Sequence, residues 1–130
     1  MNMAKYVDGF VLVVPKNKAK DYKKMAKEGA YMWMQHGALE YYECRGDDLK
    51  PKAMDGMKPL AFTKMTKAKP NETVWFSFVV YKSKKHRDEV NKKVMDEMSE
   101  KYKDQKDTQM PFDMKRMAYG GFSVEVEGGD

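Results

Sequence analysis

Asp8 is a carboxylate inside an otherwise apolar run, Tyr6-Val-Asp-Gly-Phe-Val-Leu-Val-Val-Pro15. Acids are rarely buried unless a cation or several donors hold them. Asp8 therefore needs a partner, and two roles follow. It is a structural ion pair or a contact across a subunit boundary, or it is a general base facing a pocket. Three arginines, Arg45, Arg87 and Arg116, are the candidate counter-charges in a chain otherwise basic through lysine. Arginine suits fixed bidentate pairing better than lysine, so each of the three is expected to have a geometric task.

Other residues could join such a site. His36 stands just before Gly37, where an imidazolium favours the negative end of a helix dipole; turned toward a pocket, it takes a proton-transfer role. Arg87 and Asn91 are four apart and stack on one helix face. They make an anion or carbonyl clamp if that face borders a pocket, and otherwise hold the segment carrying Asp113, Lys115 and Arg116. Asp113 and Arg116 are candidates for closing one end of the pocket. Asp8 and His36 are thus the catalytic candidates, and Arg87, Asn91, Asp113 and Arg116 the ligand-binding ones. Cys44 has no second cysteine to pair with and reads as an inert, packed thiol. With two histidines and one cysteine the usual His/Cys metal site cannot be assembled. No glycine-rich phosphate loop is present either, so neither metal nor cofactor is expected.

The elements that must position these residues are legible as periodicities. Residues 6–14 and 73–81 alternate in the manner of strands, yet both faces of each are apolar. That character marks central strands. Residues 39–45 form a shorter, more polar strand, with Leu39, Tyr41 and Glu43 opposite Tyr42 and Cys44. Residues 119–126 form the last strand, with Phe122, Val124 and Val126 on one face. Asn17 can cap a helix reaching His36, whose stripe is Tyr22, Met25, Ala26, Gly29, Met32, Trp33 and His36. Gly37 suits its left-handed end. Ser83 caps a second helix with Val90, Val94, Met98 and Tyr102 at four-residue steps. That helix is expected to fray over 101–107, and 128–130 read as a tail. Between them residues 46–72 make a long excursion, with a short extra strand expected near 60–65.

Strand, helix, strand, strand, helix, strand is the ferredoxin-like α+β order: one four-stranded antiparallel sheet with two helices on one face. The expectation is a single domain over residues 1–130. Two helices cover only one face of the sheet. Either Phe10, Leu12, Val14, Val79 and Tyr81 or their alternates are then left on the other, and the sequence does not choose. An apolar face of that size calls for a second copy, so a homodimer is expected.

The residues also match a family pattern: the run 6–15, His36-Gly-Ala-Leu39, Glu43-Cys44, Gly46-Asp-Asp48, and Glu72-Thr-Val-Trp-Phe-Ser-Phe-Val-Val-Tyr81. Arg87-Asp88, Asn91-Lys-Lys-Val-Met95, Met110-Pro-Phe-Asp113, Lys115-Arg-Met117 and Gly120-Gly-Phe122 continue it. Across 6–126 the chain resembles the YbaA-like family of small bacterial proteins. The resemblance implies a dimeric α+β barrel and leaves the activity open, because the family's function is uncharacterised. The chain departs from the pattern at Ala118 and Tyr119, a change given no functional weight.

Composition narrows the classes further. A net charge of +5 invites a nucleic-acid reading, but the lysines are interspersed with acids, as on solvated faces. No stretch approaches a membrane span or a secretory leader, and the lone cysteine fits a cytoplasmic location. Three function classes are carried. The first is a binding protein or cofactor-free enzyme with a small molecule between helices and sheet. The second is a non-catalytic structural or regulatory dimer. The third, least favoured, is RNA binding through Tyr6, Phe10 and Trp75 on the sheet. Leu12, Val14 and Val79 share that face and argue for a protein interface instead.

Overall fold

A computed structural model describes residues 4–104 and 110–129. Strand β1 (Tyr6–Pro15) leads through a 3-10 turn into helix α1 (Ala19–Gln35). Strand β2 (Glu40–Arg45), a short helix α2 (Phe62–Thr66) and strand β3 (Glu72–Tyr81) follow. Helix α3 (Lys84–Lys101), a second 3-10 turn (Met114–Arg116) and strand β4 (Ala118–Ser123) complete the order. The sheet is antiparallel, β2-β3-β1-β4, so the two strands apolar on both faces are the central ones. This is the expected ferredoxin-like α+β arrangement.

The register decides which face the helices cover. Leu12 lies opposite Trp75, Phe10 opposite Ser77 and Asp8 opposite Val79. These side chains point under α1 and α3, where two groups of buried residues form. One is built from Met32, Val79, Tyr81, Val90 and Val94, the other from Leu12, Val14, Tyr22, Ala26 and Trp75. Phe10 packs against both. The rings an RNA platform would present are covered. Phe10 and Trp75 lie beneath the helices, because Leu12, Val14 and Val79 on the same face need the helices' apolar stripes.

The opposite face is open. Phe76 is 42% exposed, Tyr42 48% and Phe122 62%. Phe78 contacts both Tyr42 and Phe76, at ring separations of 5.1 and 5.6 Å. Cys44, expected to be packed, is exposed here, since alternation turns it away from Tyr41 and Glu43. At one end Val13 and Val74 are both buried. There the 46–71 excursion folds back: Gly46 N–H donates to Val74 O at 2.8 Å, and α2 packs against β3.

Local chemistry explains the boundaries. Gly37 takes the left-handed conformation, φ +108°, immediately after the His36 cap. The Ser83 hydroxyl accepts from His86 N–H at 3.1 Å to start α3. Asn17 makes no cap, because Pro15 opens a 3-10 turn over Lys16–Lys18 that delivers the chain into α1. The strand expected near 60–65 is instead α2. With no sheet edge beside it, Met65 N–H bonds back to Ala61 O at 3.0 Å, and Lys67 ends the turn at φ +56°. The last strand stops at Ser123 rather than continuing to 126, since Val124 N–H to Lys5 O is the final pairing beyond the start of β1. Val126 is accordingly 88% exposed. The expected fraying of the second helix lies partly outside the described residues, as does the last residue of the tail.

Candidate functional site

Two polar groups stand under the helices, one around each inward-facing carboxylate. Asp8, 1% exposed, is reached from α3 by the pair four residues apart. Asn91 Nδ2 donates to its Oδ2 at 3.4 Å, and Arg87 Nη1 lies 3.6 Å from Oδ1. Oδ1 takes no hydrogen bond and is buried beside the guanidinium. Around this pair sit phenols. Arg87 donates to Tyr119 Oη at 3.1 Å and to Tyr6 Oη at 3.3 Å, and its guanidinium lies 4.9 Å from the Tyr6 ring centre. Asn91 Oδ1 accepts from Tyr81 Oη at 3.0 Å and Trp33 Nε1 at 3.1 Å. Burial, and then the negative charge of Asp8, pushes the Tyr81 and Tyr119 phenols upward. Gly121 lets Tyr6 take its place, because any Cβ there would collide with the Tyr6 ring.

The second group is on the edge strand β2. Glu43 Oε1 accepts from Tyr22 Oη at 2.7 Å and Oε2 from Tyr41 Oη at 2.6 Å. Burial, then the charge of Glu43, then its hydrogen bonds raise both phenols well above the ordinary tyrosine value. They therefore stay protonated and keep donating. Glu43 borders a cavity of about 290 Å3 between the two halves of the core. Phe10, Trp33, Val79 and Phe112 supply ring and aliphatic walls; Met25, Met95, Met98, Met110, Met114 and Met117 supply thioethers. Gly29 contributes space, since a Cβ there would come within 3.3 Å of Tyr41 Oη. On the other side of Glu43 and Tyr41 a surface groove of about 530 Å3 runs along α1 past Lys20, Lys23, Lys27 and Arg45.

The remaining candidates are scattered. His36 Nε2 lies 2.6 Å from Glu97 Oε1, tying the end of α1 to α3. Asp113 caps the second 3-10 turn, its Oδ1 accepting from Lys115 N–H at 2.9 Å. Arg116 grips Glu72 with both amino groups, at 2.8 and 3.1 Å, and Lys67 O at 2.9 Å, so it fastens the end of α2 to the start of β3. That hydrogen bonding, with the Lys69 N–H, holds the Glu72 carboxyl below its ordinary value. The structure thus brings together Asp8, Arg87 and Asn91, and places His36, Asp113 and Arg116 elsewhere. Arg45 lines the outer groove and does not serve Asp8.

The sequence reading passed over Tyr22, Tyr41 and Glu43 as a set. One signal was available: Tyr41 and Glu43 alternate onto the same strand face, and Tyr22 heads the apolar stripe of α1. It also passed over Tyr119, which both supports Arg87 and stacks on Phe10 at 4.7 Å.

Residues 5–114 match the family described as "Protein of unknown function (DUF1428)". The chain belongs to this DUF1428 family. It is 43% identical over 123 residues to the "Uncharacterized protein YbaA" of Escherichia coli K12, covering 95% of this chain and 98% of that one. The same figures hold for YbaA of Shigella flexneri. Among solved structures, a dimeric ferredoxin-like protein from an uncultured marine organism superposes with a TM-score of 0.56 at 8% identity. It covers 95% of this chain and 98% of that chain. At that identity the likeness speaks for the fold of this DUF1428 member, in agreement with the strand order. Among the described residues no helix is long and apolar enough to cross a membrane.

Proposed function

We propose that the protein binds a small, largely apolar organic molecule in the cavity beneath its helices, and that it does so as a homodimer joined through the open sheet faces. The cavity carries the first half of this reading. A space of about 290 Å3 walled by aromatics and thioethers is close to the size of natural ligand pockets. An apolar cavity of about 150 Å3 already holds benzene, so this one suits a molecule of one or two rings. Methionine walls adapt to such guests at little cost. Asp8 does not line the cavity and is matched to Arg87 and Asn91, which favours a fastening role for it over a general base.

The open face carries the second half. Val7, Gly9, Val11, Tyr42, Cys44, Phe76, Phe78 and Phe122 alternate onto it, with neither lysine nor arginine among them. Nucleic acid would demand such cations; a second apolar face would not. Phe122 lies across Gly9 and Gly120, 3.5 and 3.7 Å from where their Cβ atoms would be, which keeps that corner flat. The solved neighbour is described as dimeric, which supports the same assembly.

Calorimetric titration with indole tests the cavity. Saturable binding is expected for the wild type and its loss for Ala26→Phe, which fills the space from α1. The absence of any saturable apolar guest would overturn the reading. Sedimentation tests the assembly: a wild-type dimer that Phe76→Asp converts to a monomer is expected, and a wild-type monomer would contradict it.

A further inference from the structure

Among the described residues Glu43 is the one charged group on the cavity wall. Among the described residues no lysine, arginine or histidine forms an ion pair with its carboxylate. Lys20, Lys23, Lys27 and Arg45 share the outer groove with it but stay beyond pairing distance. Each oxygen has a phenol donor, at 2.7 and 2.6 Å, and a carboxylate oxygen has lone pairs for more than one. Because the Tyr22 and Tyr41 phenols stay protonated, their two donations fix the plane of the Glu43 carboxylate. The result is a preorganised negative charge at the edge of an apolar space, with ring faces and polarizable sulfurs around it.

That combination has a definite complement. A neutral apolar guest would leave the carboxylate facing hydrocarbon without a counter-charge, and an anion would be repelled. An organic cation meets both demands: its charge pairs with Glu43, while its alkyl or aromatic body fills the space against Trp33, Phe112 and the methionines. Aromatic faces add their own attraction for a desolvated cation, and thioethers are soft contacts for the carbon body. We infer that the cavity selects a substituted ammonium: a primary amine or alkylammonium on a one- or two-ring apolar frame, with its nitrogen at Glu43. This inference rests on the cavity reading above and adds the charge of the guest.

Three probes of one shape separate the possibilities: benzylamine (protonated at neutral pH), benzyl alcohol and benzoate, titrated calorimetrically into the wild-type protein. Benzylamine is expected to bind at least about tenfold more tightly than benzyl alcohol, from pairing and ring contacts together, with benzoate weakest. In Glu43→Gln the amine is expected to lose its advantage and fall to the level of the alcohol, whose continued saturable binding shows that the variant retains its cavity. Equal binding of amine and alcohol in the wild type, or tighter binding of benzoate, would overturn the charge selection and leave the cavity intact. If indole and all three probes fail to bind, the cavity reading itself falls. The wild-type ranking decides the matter even if Glu43→Gln does not fold.

Discussion

Asp8 and Glu43 are both carboxylates on the helix-facing side of one sheet, and their surroundings differ in every respect that matters. Asp8 is on a central strand, 1% exposed, with a guanidinium and a carboxamide aimed at it. Glu43 is on an edge strand, half-buried, with two phenols and, among the described residues, no cation paired to it. A buried charge with a fixed partner is complete: it holds elements together and offers little to a visitor. A charge oriented by neutral donors at the edge of an apolar space is incomplete until something arrives. On the binding we propose, the first fastens and the second recognises. The residue whose sequence position draws attention is therefore not the one best placed to meet a ligand.

The largest effect should come from unbalancing Asp8. Asp8→Asn removes the buried counter-charge of Arg87, whose side chain is 16% exposed, and leaves it only the exposed Asp88 carboxylate, 3.2 Å from Nε. Breaking a buried pair from one side costs roughly 3–5 kcal/mol, so chemical denaturation should show a loss in that range. Adding Arg87→Met should recover part of it by removing a cation that has lost its buried partner. A fully stable Asp8→Asn protein would remove the fastening role and reopen the reading of Asp8 as a general base.

Glu43→Gln should cost less, about 1.5 kcal/mol, because two hydrogen bonds lose their charged acceptor but no buried cation is stranded. An effect as large as that of Asp8→Asn would erase the distinction between the two carboxylates. The same variant has a titration signature. Tyr22 and Tyr41 have folded values raised above the ordinary 10.0. Their contribution to stability is complete below pH 10 and is lost as pH rises beyond it. Ultraviolet phenolate titration should show these two ionising only with unfolding in the wild type. In Glu43→Gln they should ionise earlier, since the neighbouring negative charge is gone, while burial keeps them above 10.0.

Arg116→Gln supplies the smallest effect and a reference for both. Its bond to Glu72 is more exposed, with 28% of the Arg116 side chain open, so roughly 1 kcal/mol or less is expected. The folded Glu72 value lies below the ordinary 4.5, so the pair stabilises above that pH and loses its contribution as pH falls through the folded value. The deficit of Arg116→Gln, measured by denaturation across pH, should be full at neutral pH and shrink below about pH 4.5. A deficit that grows on acidification would contradict the pairing.

Much of the frame was legible because alternation and caps are local. Ser83 starts its helix and Gly37 ends its own through side chain or backbone, and the doubly apolar runs became the two central strands. The Asp8, Arg87 and Asn91 association was legible in part: the stray carboxylate announced a need, and the four-residue spacing announced a shared face. Which of three arginines answered depended on how α3 lies over β1, a tertiary fact. The choice of covered face was invisible, since Val11 and Leu12 or Phe76 and Val79 are equally apolar. It was decided by which side the stripes of α1 and α3 could reach. Glu43 was invisible for a related reason: its meaning depends on Tyr22, distant in sequence, and on a gap between two halves of a core. Gaps leave no periodicity.

The central claim is that the space beside Glu43 is the recognition site. The most direct measurement is a methyl NMR titration with benzylamine on protein labelled at the methionine methyls. Met25, Met95, Met98, Met114 and Met117 line the cavity, whereas Met54 and Met57 lie in the excursion, 68% and 76% exposed. The expected result is saturable shifts confined to the first group and abolished by Ala26→Phe. Uniform small shifts, or shifts at Met54 and Met57 with the cavity methyls unmoved, would contradict it.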